Sequence, residues 1–305
     1  MASKHSKSFF DFIKSNYAAA PHIVGAEHAP LSLPFKIIIA SLVPSLVLSM
    51  IFVANFFMQS NSHKKLLAEA EATFKSQNSD DALKMLAKEN EDIKAWLKID
   101  GTNVDCAVCQ SDDNAFYINH NQLGKKSRYG ALFLSQDDSF RRKNADRNIV
   151  IFVNNMKDGT MFGSLKKYRN LNFYKQNPFV ELYFDDQAQN YVVFSVMLLS
   201  SSADDIGDVY KPYKSHFSNQ GEFDVWLKET TSRSLINTTV PAEYGDEFLT
   251  LVTVANDFDG ARLVVMAKKI SEWDKQHTDV SGAAVNAKIK YPKIWYATRG
   301  LEYPY

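Results

Sequence analysis

FLTLVTVANDFDGARLVVMAK, residues 248–268, is the stretch on which the reading of this chain turns. Two apolar runs, 248–254 and 262–268, are rich in Val, Leu and Thr and flank a short polar segment holding Asn256, Asp257, Asp259 and Gly260. Branched side chains fit a pleated surface, and Asn, Asp and Gly favour turns, so the pattern predicts two strands joined by a loop. The same texture extends outward to YVVFSVMLL (191–199), FVELYF (179–184), IVIFV (149–153) and ALFLS (131–135). Helical patterns interrupt it near 160–168 and 222–236. Many strands with a few intervening helices predict a mainly β chain, closed into a barrel with peripheral helices.

Upstream the texture changes. Ser79 opens a helical pattern in which Ala82, Leu83 and Leu86, then Ile93, Trp96 and Leu97, fall near a 3.6-residue period. SHKKLLAEAEATFKS (62–76) is rich in helix formers and reads as a stalk. Before it, IIIASLVPSLVLSMIFVANFFM (37–58) runs for 22 residues without a charge. A helix of that length covers about 30 Å, the thickness of a bilayer's hydrocarbon core. VANFFMQS supplies a poor small-x-small cleavage site, which favours an uncleaved single-pass anchor over a signal peptide. Lys4, Lys7, Lys14 and Lys36 precede the anchor and Lys64, Lys65 and Lys75 follow it. That charge bias is slight, so the short leader and the large following domain carry the expectation of a C-terminal domain outside the cell membrane. The expected divisions are a cytoplasmic leader (1–34), an anchor (35–58), a stalk helix (59–87), a barrel domain (88–270) and an aromatic tail (271–305).

Bulk composition excludes several functions. The 35 basic and 35 acidic residues cancel, leaving no net field to attract nucleic acid. Two cysteines, Cys106 and Cys109, are too few for a disulfide-stapled scaffold. Three positions apart on an early strand, they face opposite sides, which argues against one paired redox or metal site. No cofactor and no metal is expected.

Three segments resemble class B sortases. NEDIKAWLKIDGTNVDCAVCQSDDNAFYINH (90–120) is similar to the opening of that family's domain, NIVIFVNNMKDGTMFGSLKKY (148–168) to the segment carrying its catalytic histidine, and residues 248–268 to the stretch with its catalytic cysteine and arginine. They occur in the family's order across roughly 88–270, and the helix around Phe223, Trp226 and Leu227, followed by Ser234, resembles the class B insertion. The resemblance implies an eight-stranded sortase-like barrel and a membrane-anchored transpeptidase of Gram-positive bacteria. In such an enzyme a thiolate attacks a sorting-signal peptide and an amino nucleophile resolves the acyl-enzyme.

Mapped residue by residue, the chemistry is incomplete. Where the family has histidine in a Gly-His-Asn-Met stretch, this chain reads Val153-Asn154-Asn155-Met156. An amide at Asn154 has no proton to give near neutral pH. Where the family ends a Thr-Leu-x-Thr-Cys strand, this chain reads Thr250-Leu251-Val252-Thr253-Val254. Val254 has no lone pair with which to attack a carbonyl. The arginine position is kept as Arg262, able to donate hydrogen bonds to a peptide carbonyl or carboxylate. Asp257 and Asp259 follow the lost nucleophile, and both a place by the cleft and a solvated loop fit them; His120, His216 and His277 read as surface or capping residues, and Thr253 as a strand residue kept for packing. The expected function is that of a non-catalytic pseudoenzyme that binds a sorting-signal peptide or scaffolds a pilin or an active sortase. An active class B sortase with an atypical site and a structural envelope protein with a vestigial groove are the alternatives.

Overall fold

A computed structural model describes residues 33–76, 78–138, 148–154, 161–184, 187–201, 210, 212–214 and 216–305. The expected leader lies outside these residues up to position 32. The chain divides into two compact units, Met1–Met58 and Gln59–Tyr305. In the first, the described residues belong to helix α1 (Leu33–Lys75), 43 residues long with Pro44 inside it. Leu42, Leu46, Phe52 and Phe57 are exposed along it, and it is long and apolar enough to cross a membrane.

The second unit begins within α1. There His63 stacks on Tyr129, and Phe74 stacks on Trp96 with ring centroids 4.4 Å apart. Helix α2 (Ser79–Glu89) follows, capped where the Asn78 side chain accepts from the Asp81 amide. Ala82 and Leu86 form its buried stripe.

The helical pattern read onward through Ile93, Trp96 and Leu97 is corrected here: those residues lie on strand β1 (Ile93–Ile99). The register shifts between Ile93 and Ala95, as at a β-bulge. Ile93 and Trp96 thereby share the outer cluster with Leu86, while Ala95 and Leu97 point into the barrel. One extra residue turns a two-residue period into a three-residue one, which imitates a helix in sequence.

Strands β2 (Val104–Cys109), β3 (Leu132–Leu134) and β4 (Asn148–Val153) come next, then a 3₁₀ helix (Phe162–Arg169) and helix α3 (Leu171–Gln176). After them run β5 (Phe179–Phe184), β6 (Gln187–Ser200), helix α4 (Gln220–Arg233) and the short β7 (Ile236–Asn237). Strands β8 (Phe248–Val254) and β9 (Ala261–Ile270) precede helix α5 (Glu272–His277), the short β10 (Ala284–Val285) and helix α6 (Lys293–Ala297). Eight strands close into a barrel in the order β1-β2-β3-β4-β8-β9-β6-β5. The β2–β3 and β4–β8 pairs are parallel and the other pairs around the barrel antiparallel.

Strands β4 and β8 are buried almost end to end, which explains their near-continuous apolar sequence. On the outside, Phe223 and Trp226 of α4 pack with Phe217 and Phe248, each pair of rings within 6.0 Å. The segment after β9 folds back on the same unit. β10 pairs with β7, Lys290 donates to Glu229 at 2.8 Å, and Tyr291, Ile294 and Trp295 pack against the core.

Candidate functional site

Parallel pairing sets Val153 of β4 beside Thr253 of β8, so Asn154 emerges next to Val254. Antiparallel pairing sets Val254 directly across from Arg262 of β9. Three positions far apart in sequence therefore meet at one end of the barrel, where Asn154, Val254 and Arg262 line a single hollow of about 230 Å³. Ile118, Phe133, Phe152 and Val252 supply its apolar walls. Asn155 and Met156 lie outside the described residues.

Each of the three side chains has a distinct environment. The Asn154 Nδ2 donates to the Ile118 carbonyl at 2.7 Å. Gly130 makes room for that contact: its φ is +67°, and an added Cβ would lie 2.6 Å from the Tyr117 oxygen and 3.0 Å from Asn154 Nδ2. Val254 is 39% exposed and ends in methyl groups at the rim. Arg262 donates through Nη1 to the Ala261 carbonyl at 3.0 Å and has no carboxylate partner among the described residues. Tyr213 stands close enough to feel the Arg262 charge, which opposes the upward push of burial on its phenol, and its ring packs edge-on against Phe152.

A second hollow, of about 220 Å³, adjoins the first and shares Thr253 and Val254 with it. Phe162, Lys166, Arg169 and Asp257 line its other side. Arg169 grips Asp257 with two hydrogen bonds, at 3.0 and 2.7 Å. That geometry settles one of the open sequence readings: Asp257 is at the cleft, neutralised by an arginine, whereas Asp259 lines neither hollow. Thr253 is 3% exposed and its hydroxyl has no hydrogen-bond partner among the described residues.

Among the described residues, no cysteine or histidine lines either hollow. Cys106 lies in the barrel interior with Leu97 and Val108, and Cys109 in the outer cluster with Trp96 and Ala107. Both are free thiols. Burial, reinforced by the Asp105 charge, pushes Cys106 up to about 12, and burial drives Cys109 higher still. Among the histidines, His120 stacks on Phe116, His277 on Trp273 and His63 on Tyr129; none lines either hollow. Among the described residues there is no group of His, Cys, Asp and Glu that could hold a metal ion. Sequence reading missed Lys166, Arg169 and the apolar walls, because these come from five separate segments with no shared motif.

No family model matches the chain. Sortase B of Listeria monocytogenes is 29% identical over 196 residues, which span 63% of this chain and 75% of that protein. A mutant form of Clostridium perfringens sortase B, solved by X-ray crystallography, is 33% identical, with 70% of this chain and 98% of that one covered and a TM-score of 0.60. The substrate complex of Staphylococcus aureus sortase B is alike in fold, with a TM-score of 0.62 at 24% identity over 70% of this chain and 99% of that one.

Proposed function

Because the chain belongs to the class B sortase family, we propose that it is a membrane-anchored surface protein that keeps the family's peptide groove without its acyl-transfer chemistry. The observation that carries this reading is the hollow shared by Asn154, Val254 and Arg262. Acyl transfer by a sortase needs a thiolate to form a bond to the carbonyl carbon and a proton donor for the departing amine. Val254 supplies no electron pair and Asn154 no acidic proton, and Cys106 and Cys109 are buried away from both hollows. In nucleophile–base systems the loss of one member already removes roughly 10⁴–10⁶ in rate. What survives is a donor, Arg262, beside apolar walls, an arrangement suited to holding an extended peptide.

The occupant in this reading is a sorting-signal peptide, presented by a pilin or shared with an active sortase. The apolar part of α1 is a single-pass anchor in the cell membrane of a Gram-positive bacterium, with the barrel on the outer side. The test uses the full chain in detergent micelles with fluorescent sorting-signal peptides. Anisotropy should saturate while mass spectrometry finds no cleaved fragment, with or without a thiol-blocking reagent. Thiol-dependent cleavage overturns the pseudoenzyme reading, and absence of saturable binding overturns the groove as its working part.

A further inference from the structure

We propose, building on the groove reading above, that the peptide held there is an acidic one, its carboxylate seated between Arg262 and Lys166 above Val254. The two hollows meet at Thr253 and Val254, so an extended chain crossing that saddle touches both. Among the described residues, their linings carry three basic side chains, Lys166, Arg169 and Arg262, against one acidic, Asp257. Asp257 is fully engaged by Arg169, so it neutralises neither of the other two. Neither Lys166 nor Arg262 has a carboxylate partner among the described residues. In a chain whose total charge is zero, the described lining residues thus carry a local positive excess.

A further observation points the same way. Thr253 brings to the saddle a buried hydroxyl with no partner among the described residues, a group whose desolvation is left uncompensated until something accepts from it or donates to it. The first hollow is walled by Ile118, Phe152 and Val252, and takes an apolar side chain. The expected ligand therefore has an apolar residue followed, a short way along, by Asp or Glu. Arg262 faces Val254, where an anionic sulfur would have balanced it; a ligand carboxylate now takes that place.

The test uses the full chain in detergent micelles and end-capped heptapeptide libraries that differ only in carrying Asp or Glu against Asn or Gln at one position. The acidic sets should bind about tenfold more tightly than their amide isosteres, a preference eroded on raising NaCl from about 50 to about 500 mM. Lys166→Met, at an exposed position, should cut that preference about threefold, and Arg262→Met more. Equal binding of acid and amide peptides that Val254→Trp blocks overturns the acidic preference and leaves the groove reading standing. Binding that Val254→Trp leaves intact, or no binding, overturns both.

Discussion

At position 254 a methyl-bearing side chain stands opposite the guanidinium-bearing Arg262, and the contrast defines an experiment. The backbone that carries Asn154, Val254 and Arg262 is set by strand register, which does not depend on what those side chains are. Val254→Cys with Asn154→His should therefore restore thiol-dependent cleavage of a sorting-signal peptide, on the order of 10²-fold above the parent's background, as expected when nucleophile and general acid return together. Neither single variant should cleave. A folded double variant without activity would place the fault in the surroundings, first at Val153, where the resemblance to the family implies a glycine. The native thiols make an independent check. With Cys106 at about 12, its thiolate fraction at pH 8 is only about 10⁻⁴, and Cys109 is more protected still. An aromatic disulfide reagent should find no reactive thiol in the native protein over an hour and two in denaturant. A fast-reacting native thiol would contradict the burial of both residues and reopen the search for a relocated nucleophile.

Among the elements, α4 carries the clearest electrostatic dependence. Its Arg233 is 1% exposed and paired with Glu229, which also accepts from Lys290. Burial raises the Glu229 pKa, but the hydrogen bonds from Lys290 and Arg233 outweigh it and hold the carboxyl below the ordinary value of 4.5. A group depressed on folding contributes stability that is complete above its unfolded value and lost as pH falls through its folded one. Glu229 therefore stabilises the protein at neutral pH, and that contribution begins to fade as pH falls to about 4.5 and is lost once pH passes below the lower, folded value. Glu229→Gln should cost about 2 kcal/mol at pH 7 and flatten the acid limb of a stability–pH curve. A cost that is the same at pH 3 and pH 7 would show that the charge is not what holds α4 to the tail. Elements also show what could be read beforehand. Strands β4, β8 and β9 were legible because burial on both faces leaves an unbroken apolar run, whereas positions 154, 254 and 262 were marked only by the resemblance of their segments to class B sortases. β1 was not, because its bulge gives Ile93 and Trp96 a helical spacing. The Arg169–Asp257 clasp was not legible either: its partners are 88 positions apart, and nothing local in either segment signals the other.

The whole molecule poses the question of where the folded unit begins. Composition alone made 59–87 a stalk, yet its side chains do the work of a domain. Leu67 packs against the interior cluster, Ala70 is buried with Trp96, Phe74 stacks on that indole, and Lys75 reaches Asp105 at 3.1 Å. The apolar run ending at Met58 is exposed throughout its described side chains, so removing it takes nothing from the core of the second unit. The fragment 59–305 should accordingly remain in solution without detergent and melt in one cooperative transition, whereas the full chain should need detergent. Removal of a further 19 residues, to give 78–305, is a different operation. It strips Leu67, Ala70 and Phe74 from the barrel wall and uncovers Trp96. Large apolar side chains contribute about 1.5–3 kcal/mol each when fully buried. With Leu67 and Phe74 only partly so, the loss should be about 4 kcal/mol, or a melting temperature lower by about 10 °C for a unit of this size. Equal melting of the two fragments would mean that the helix after Met58 is a spacer after all. A shorter fragment that melts lower, together with a longer one that matches the full chain, would make residues 59–76 part of the barrel's wall.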